Sequence, residues 1–388
     1  MSSLRKNLLS KGSKRFTSGA IKDFSPTKWE KYFDSKRDVK IGESIFNVYL
    51  KGNSGPVVAM LHGGGYSALT WALFTEEITR KVECQVLAID LRGHGLTNTE
   101  DDMNLSLEIL ASDVDEIIKT IFTENIPPVV LIGHSMGGAI AVESAYLIQT
   151  AVALCVIDVV EGSAMESLSA MQSILRGRPN SFKTIDQAIQ WSFRSGQTHN
   201  LEAARISMPG QIKNSKTGLL ATQEIDLEES STEPRQYKLV HQRSADCIAE
   251  VDEDSRSEDS PGESSSQEVE KDVSTTEFVK PSDANSYTWR IDLSKTESFW
   301  SGWFKGLSQK FLNIAMPKVL LLANIYGLDT TLTIGQMQGK FQLQVLAKSG
   351  HAIHEDQPGN VADIVAGFLV KQKLAVAKEG FVPSLPAC

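Results

Sequence analysis

Short apolar runs recur along this chain, and each of them is followed by a glycine or a polar residue. The clearest are residues 56–61, 86–89, 129–132, 152–157 and 318–323. Runs of this length, rich in β-branched residues, are typical of strands buried on both faces of a parallel sheet. Residues 341–346 alternate apolar and polar positions, which predicts one further strand. The pattern therefore predicts an α/β fold with functional residues at the carboxyl ends of its strands.

The run at 129–132 leads directly into residues 133–137, which read G-H-S-M-G. This is the G-x-S-x-G pattern of a nucleophile elbow, a sharp strand-to-helix turn whose flanking glycines avoid collisions of a Cβ atom. Because a strand precedes Ser135 and a helix-forming run follows it, we predict that Ser135 is a nucleophile. The alternative is a glycine-rich turn with an incidental serine.

A second glycine loop follows the run at 56–61, where residues 62–65 read H-G-G-G. Loops of this kind bring backbone N–H groups close to a reacting carbonyl. We predict an oxyanion hole formed by the N–H of Met136 together with that of Gly64 or Gly65. The alternative is a flexible turn.

Of the seven histidines, His351 is the predicted general base. It directly follows Ser349 and Gly350, in the loop that comes after the last predicted strand. This placement fits the chain order Ser, acid, His of the elbow-bearing hydrolases. We expect His354 to be structural. A zinc site at 351–355 lacks a visible third ligand, and neither a metal nor an organic cofactor is expected.

Two carboxylates compete for the role of the acid. Asp158 ends the run at 152–157, whereas Asp329 lies six residues beyond the run at 318–323. A carboxylate at the end of a strand is held rigidly, as orientation of an imidazole requires. We therefore favour Asp158, the alternative being a strand-end residue that only caps a loop.

Several separated motifs together resemble the protein phosphatase methylesterase family, from residue 23 to the carboxyl terminus. They include G-H-S-M-G-G at 133–138, I-D-V-V-E-G at 157–162, R-G-R-P at 176–179 and G-H-A-I-H-E-D at 350–356. The resemblance implies a triad of Ser135, Asp158 and His351. Residues 324–327, N-I-Y-G, depart from a segment that resembles G-V-D-R in relatives, so the aspartate expected after that strand is absent.

The resemblance also implies a substrate, the methyl ester on the C-terminal leucine of the protein phosphatase 2A catalytic subunit. Scaffold or regulatory subunits of that phosphatase are further expected partners. Two alternatives are a general small-ester carboxylesterase and a phosphatase-binding inhibitory protein with secondary esterase activity.

The expected architecture is an α/β-hydrolase fold, with a mostly parallel eight-stranded sheet and a helical cap. Residues 23–388 form the catalytic domain, the cap spans 160–316, and residues 1–22 form a basic, disordered tail. Three of the six tryptophans fall in the second half of the cap, which indicates either a lid or partner surface or ordinary core packing.

A polar segment at 214–284 interrupts the cap and is expected to be disordered, because it offers little apolar surface to bury. Residues 245–272 carry 11 acidic and two basic side chains, so this segment accounts for the whole net charge of −9. Ile248, Val251 and Glu253 resemble a short docking motif for phosphatase regulatory subunits.

The remaining composition excludes several functional classes. The catalytic body is neutral and has no basic stripe for nucleic acid. No apolar run reaches the roughly 18 residues of a membrane span, so no membrane partner is expected. The four scattered cysteines predict reduced thiols, and with the family resemblance they favour a cytoplasmic or nuclear location.

Overall fold

A computed structural model describes residues 22–230, 286–325 and 328–383, the side chains of 228–230 excepted. Its strands are β1 (Ser35–Ile41), β2 (Ser44–Lys51), β3 (Val57–Leu61), β4 (Gln85–Ile89), β5 (Val129–His134), β6 (Ala151–Ile157), β7 (Ile212–Asn214), β8 (Tyr287–Trp289), β9 (Lys318–Leu322) and β10 (Gln342–Val345). Eight of them form one sheet in the order β1-β2-β4-β3-β5-β6-β9-β10. Only the pairs β1–β2 and β2–β4 of this sheet are antiparallel, so the predicted mostly parallel eight-stranded sheet is confirmed.

The α-helices of the described residues surround this sheet and supply the cap. They are α1 (Ala72–Lys81), α2 (Leu107–Ile121), α3 (Met136–Leu147), α4 (Glu161–Arg176), α5 (Ile185–Arg194), α6 (Leu201–Ser207), α7 (Ala221–Ser230), α8 (Glu297–Phe304), α9 (Leu307–Asn313), α10 (Thr330–Met337), α11 (Ile353–Asp356) and α12 (Pro358–Lys371). Short 3₁₀ turns occur at Trp29–Lys31, Ala68–Trp71, Met208–Gln211 and Leu293–Thr296.

Apolar side chains fill both faces of the sheet, which explains why the central strands read as continuous apolar runs. On β3, Val57 packs toward α2 and α3, whereas its neighbour Val58 packs toward α1 and α12. The same alternation continues through β5 and β6. Because both faces are buried, these strands hold the residues at their carboxyl ends in fixed positions.

The cap occupies the chain between β6 and β9. A third apolar cluster lies within it, where α5 and α6 pack against the antiparallel β7–β8 pair. Trp300 and Trp303 are buried in the main core, which fits the core-packing interpretation of these two residues. Trp289 is only partly buried and packs edge-on against Trp191.

The predicted disordered segment begins too early at residue 214. Asn214 is buried and pairs with Tyr287 across the β7–β8 ladder, and Ala221 at the start of α7 is buried in the cap cluster. Asp226 forms an ion pair with Lys36 at 2.8 Å. The segment is polar in composition, but its few apolar residues pack at helical spacing and fix residues 214–227 to the fold. Residues 231–285, with the docking motif at 248–253, lie outside the described residues, as does the tail apart from Lys22.

No helix in the described ranges is both long and apolar enough to cross a membrane.

Candidate active site

The turn between β5 and α3 places Ser135 at the carboxyl edge of the sheet. Its backbone has φ 52° and ψ −120°, a strained conformation for a residue with a side chain. A Cβ on Gly133 would overlap the carbonyl of Gly137, and one on Gly137 would overlap the carbonyl of Leu61. Both positions therefore require glycine, and the sharp turn presents Ser135 to a cavity of about 300 Å³.

Asp158 and His351 line the same cavity and are hydrogen-bonded to each other. The Asp158 carboxylate accepts from His351 Nδ1 at 2.8 Å and, through its other oxygen, from the Ala323 N–H at 2.9 Å. Burial alone raises the pKa of Asp158, but the bond from His351 and the Ala323 N–H outweigh it, and the pKa lies below its usual value. An ionised carboxylate fixes the Nδ1–H tautomer, which leaves Nε2 as the basic nitrogen.

The serine is not hydrogen-bonded to the histidine in the way that the aspartate is. Ser135 contributes its N–H to the Ile157 carbonyl at 3.0 Å, yet within the described ranges no hydrogen bond joins its hydroxyl to His351. The His351 side chain is 53% exposed. The acid–base pair is thus formed in the free chain, and both of its members line the same cavity as Ser135.

Asp329, the other candidate for the acid, forms structural hydrogen bonds instead. It precedes α10, where one carboxylate oxygen accepts from the Leu332 N–H at 2.8 Å and the other from the Ser308 hydroxyl. These bonds cap a helix and join it to α9. The structure therefore brings Asp158, and not Asp329, to His351.

The two glycine-loop candidates for the oxyanion hole differ in their hydrogen bonds. The Gly65 N–H donates to His94 Nε2 at 2.9 Å, so it does not face the cavity as a free donor, and the choice of Gly65 was wrong. Burial lowers the pKa of His94 to about 4, which keeps this ring neutral and able to accept. The N–H groups of Gly64 and Met136 have no acceptor among the described residues.

Gly64 and Met136 are neighbours in space, because a Cβ on Gly64 would lie 3.8 Å from the Met136 sulfur. Met136 is the first residue of α3, so its N–H is also at the positive end of the helix dipole. Two unengaged N–H groups that flank the nucleophile form an arrangement that can stabilise a negative oxygen.

Two further histidines support His351: His354, for which a structural role was expected, and His134, for which the sequence indicated no role. His134, inside the elbow, contacts the carbonyl oxygen of His351 through Nε2 at 2.9 Å, and the two rings lie 4.6 Å apart. His354 packs against His134 at the same distance and contacts the Thr70 hydroxyl at 2.8 Å. Burial lowers the pKa of both rings, that of His354 to about 3, so both are neutral. Contacts across more than 200 residues leave no local signal in the sequence.

No group of residues suited to hold a metal ion occurs within the described ranges. The predicted structural role of His354 agrees with its full burial.

Comparisons with known proteins agree with this architecture. A model of the alpha/beta hydrolase family matches residues 58–226. The crystal structure of E-2-(acetamidomethylene)succinate hydrolase superimposes with a TM-score of 0.58 at 16% identity, covering 87% of this chain and 99% of that one. An esterase from Mycobacterium tuberculosis superimposes with a TM-score of 0.53 at 19% identity, covering 87% and 92%. These likenesses support the fold, and the molecule is an α/β hydrolase.

Similar sequences show which family of α/β hydrolases the chain belongs to. Protein phosphatase methylesterase 1 from Homo sapiens is 44% identical over 380 residues, which cover 96% of this chain and 92% of the relative. The probable protein phosphatase methylesterase 1 from Caenorhabditis elegans is 42% identical, with 95% and 84% covered. The relative from Schizosaccharomyces pombe is 32% identical, with 88% and 84% covered. The chain belongs to the protein phosphatase methylesterase family, and it is a serine ester hydrolase.

Proposed function

We propose that this chain removes the methyl ester from the C-terminal leucine of the protein phosphatase 2A catalytic subunit. The observation that carries the proposal is the meeting of Ser135 with the Asp158–His351 pair in one cavity. The methylesterase relatives, similar over nearly the whole chain, support the substrate.

In the acylation step, His351 Nε2 takes the proton of Ser135 as the serine oxygen attacks the ester carbonyl carbon. Asp158 orients the ring and stabilises the imidazolium that forms. Negative charge develops on the carbonyl oxygen, and we assign its stabilisation to the N–H groups of Gly64 and Met136. Removal of one such donor typically costs about 2.7–4 kcal/mol.

Collapse of the tetrahedral intermediate breaks the bond to the methoxy group. The proton held by His351 passes to the leaving oxygen, so methanol departs and an ester between Ser135 and the leucine carbonyl remains. Water then enters and gives a proton to His351 as it attacks this acyl-enzyme. The second collapse returns that proton to Ser135 and releases the free carboxylate.

The lining of the cavity suits an apolar acyl group. Besides the triad it is formed chiefly by apolar side chains, namely Val159, Val160, Ala164, Met171, Phe304 and Leu322. A leucine side chain placed there buries apolar surface against these residues, while Ser163, Ser167 and Asn324 form the polar part of the lining. The Ser163 and Ser167 hydroxyls, also in the lining, bond to backbone carbonyls of α4 and its N-terminal flank and leave the apolar character unchanged.

The test is incubation of the full chain with carboxymethylated phosphatase, followed by mass spectrometry of the C-terminal peptide. We expect loss of the methyl group with the wild type and retention with Ser135→Ala. Retention with both proteins, under conditions in which the wild type hydrolyses p-nitrophenyl acetate, would favour the general carboxylesterase instead. The openness of the site at His351 gives that alternative its support.

A phosphatase-binding inhibitor is the other candidate, and the same samples distinguish it. Inhibition of the phosphatase by Ser135→Ala to the same extent as by the wild type would show a role independent of hydrolysis. A cytoplasmic and nuclear location is proposed from the family resemblance, and fractionation of cells that express the chain tests it.

A further inference from the structure

A second cavity, of about 260 Å³, lies in the cap beside the glycine loop of the active site. Its lining includes Arg178, Trp289 and Leu293. Two of these side chains also approach the loop, because a Cβ on Gly65 would lie 3.0 Å from Leu293 and 3.6 Å from an Arg178 nitrogen. Helix α4 connects the cavities as well, with Met171 in the first and Leu175, one turn later, in the second.

Arg178 is an unusual arginine for this chain. Every other arginine of the described residues that is not exposed forms an ion pair with a carboxylate: Arg92 with Asp113, Arg205 with Glu202 and Arg290 with Asp102. The Arg178 guanidinium has no hydrogen bond or ion pair within the described ranges. Burial lowers its pKa, and the opposing effect comes from the Tyr66 side chain and not from a carboxylate.

An aromatic ring holds the guanidinium in place. The Arg178 carbon Cζ lies 5.3 Å from the centre of the Trp289 ring, and Trp289 is itself fixed by a bond from Nε1 to the Pro179 carbonyl at 2.8 Å. A cation over an aromatic face keeps its N–H donors free at the edge. The nearest acid in the lining, Asp292, is already engaged with Ser294 and with Lys295 at 3.8 Å.

A partly buried guanidinium without an anionic partner costs free energy, and an arginine presents a fork of donors that matches a carboxylate. We propose that Arg178 and Trp289 form a subsite that binds the carboxylate side chain of an acidic residue of the substrate, a few residues before the esterified C-terminal residue. The inference rests on the proposed function, since it assumes a peptide whose C-terminal ester lies at Ser135.

Binding to a non-hydrolysing background tests the subsite separately from the chemistry. Fluorescent hexapeptides that end in leucine methyl ester carry a single glutamate, moved through the upstream positions, and each is paired with its glutamine counterpart. Their Kd values for the full-length Ser135→Ala chain are measured by anisotropy at low salt. We expect glutamate to bind about tenfold more tightly than glutamine at one position, as a charge-assisted bond predicts.

Three arginine variants in that background show whether Arg178 causes the preference for glutamate. Arg178→Gln should abolish the preference for glutamate. Arg176→Gln should keep it, because Arg176 is exposed and, among the residues that the structure describes, its side chain bonds only to the Gln172 carbonyl one turn earlier. Arg178→Lys should keep part of it, and a thermal melt of each variant verifies folding.

The proposal is overturned if no position prefers glutamate, or if the preference survives Arg178→Gln. Failure of the proposed function has a separate signature, which is retention of the methyl group by carboxymethylated phosphatase in the presence of the wild type. An Arg178-dependent preference together with that retention would keep the subsite and remove the proposed substrate.

Discussion

The carboxyl edge of the sheet and the cap differ in how deeply their residues are buried and how firmly they are held. At the edge, Ser135 and Asp158 follow strands that are buried on both faces, and both have positive φ angles that only a rigid surrounding maintains. In the cap, α4 has no buried residue although it lines both cavities. The sheet edge therefore holds the catalytic residues in fixed positions, while the cap has accessible side chains that a substrate can contact. Substitutions at the edge should affect turnover, and those in the cap should affect binding.

The strongest test of that division is Ser135→Ala. We expect loss of phosphatase demethylation by at least about 10³-fold, because the hydroxyl forms the covalent intermediate. Phosphatase binding, measured by a pull-down with purified subunits, should persist, since an interface is spread over many side chains. Activity within about tenfold of the wild type would remove the nucleophile assignment.

The second test replaces the acid. Asp158→Asn should lower kcat by about 10⁴-fold, because the amide favours the wrong tautomer of His351. KM should change little if the cap controls binding. Steady-state kinetics on a p-nitrophenyl ester measure both quantities, and a KM effect without a kcat effect would contradict the division.

The sequence predicted the strands and the side chains at their ends well, because both follow from local pattern. Asp158 was favoured over Asp329 on its distance from a strand, and the structure pairs Asp158 with His351. The bond from Gly65 to His94 was not predicted, since it joins two loops that meet only in the fold. The absence of a partner for Arg178 was likewise invisible, because a residue pattern does not show which charges remain unpaired.

Deletions within the polar segment of the cap are the third test. Replacement of residues 214–284 by a short Gly/Ser linker should lower Tm by several degrees, because the Asn214–Tyr287 pairing and the Lys36–Asp226 ion pair are lost. The matched replacement of 231–284 keeps these contacts and should leave Tm and small-ester hydrolysis close to those of the wild type. Equal melting of the two variants would show that residues 214–227 contribute no stability.

Acid pH should weaken the sheet edge more than the cap. Four buried histidines there, His62, His94, His134 and His354, have pKa values lowered by burial, that of His94 to about 4 and that of His354 to about 3. Their stabilising contribution is full above the unfolded pKa of about 6.5 and decreases as the pH falls below it, by roughly 1 kcal/mol for each histidine that stays neutral one pH unit lower.

Glu355 acts in the opposite direction. Burial raises its pKa to about 7, so its ionisation costs stability above the unfolded value and acidification relieves that cost. Burial also raises the pKa values of Asp90 and Asp113, which act in the same direction as Glu355. We expect the four imidazoles to outweigh these carboxyls, so Tm should fall between pH 7.5 and pH 5.5. In Glu355→Gln the fall should be steeper, because one opposing group is gone. A Tm that rises on acidification would show that these rings are charged in the folded chain.

The smallest expected effect comes from Asp329→Asn, the matched counterpart of Asp158→Asn. Asp329 lies beyond the sheet edge and bonds to Leu332 and Ser308, so its replacement removes a charged helix cap without touching His351. Asparagine also caps helices well, and we expect a loss of stability below about 1 kcal/mol. Chemical denaturation measures that loss, and kcat for a small ester should stay within about twofold of the wild type. A drop in kcat comparable with that of Asp158→Asn would mean that Asp329, which lies after β9, also takes part in catalysis. The catalytic residues would then not be confined to the carboxyl edge of the sheet.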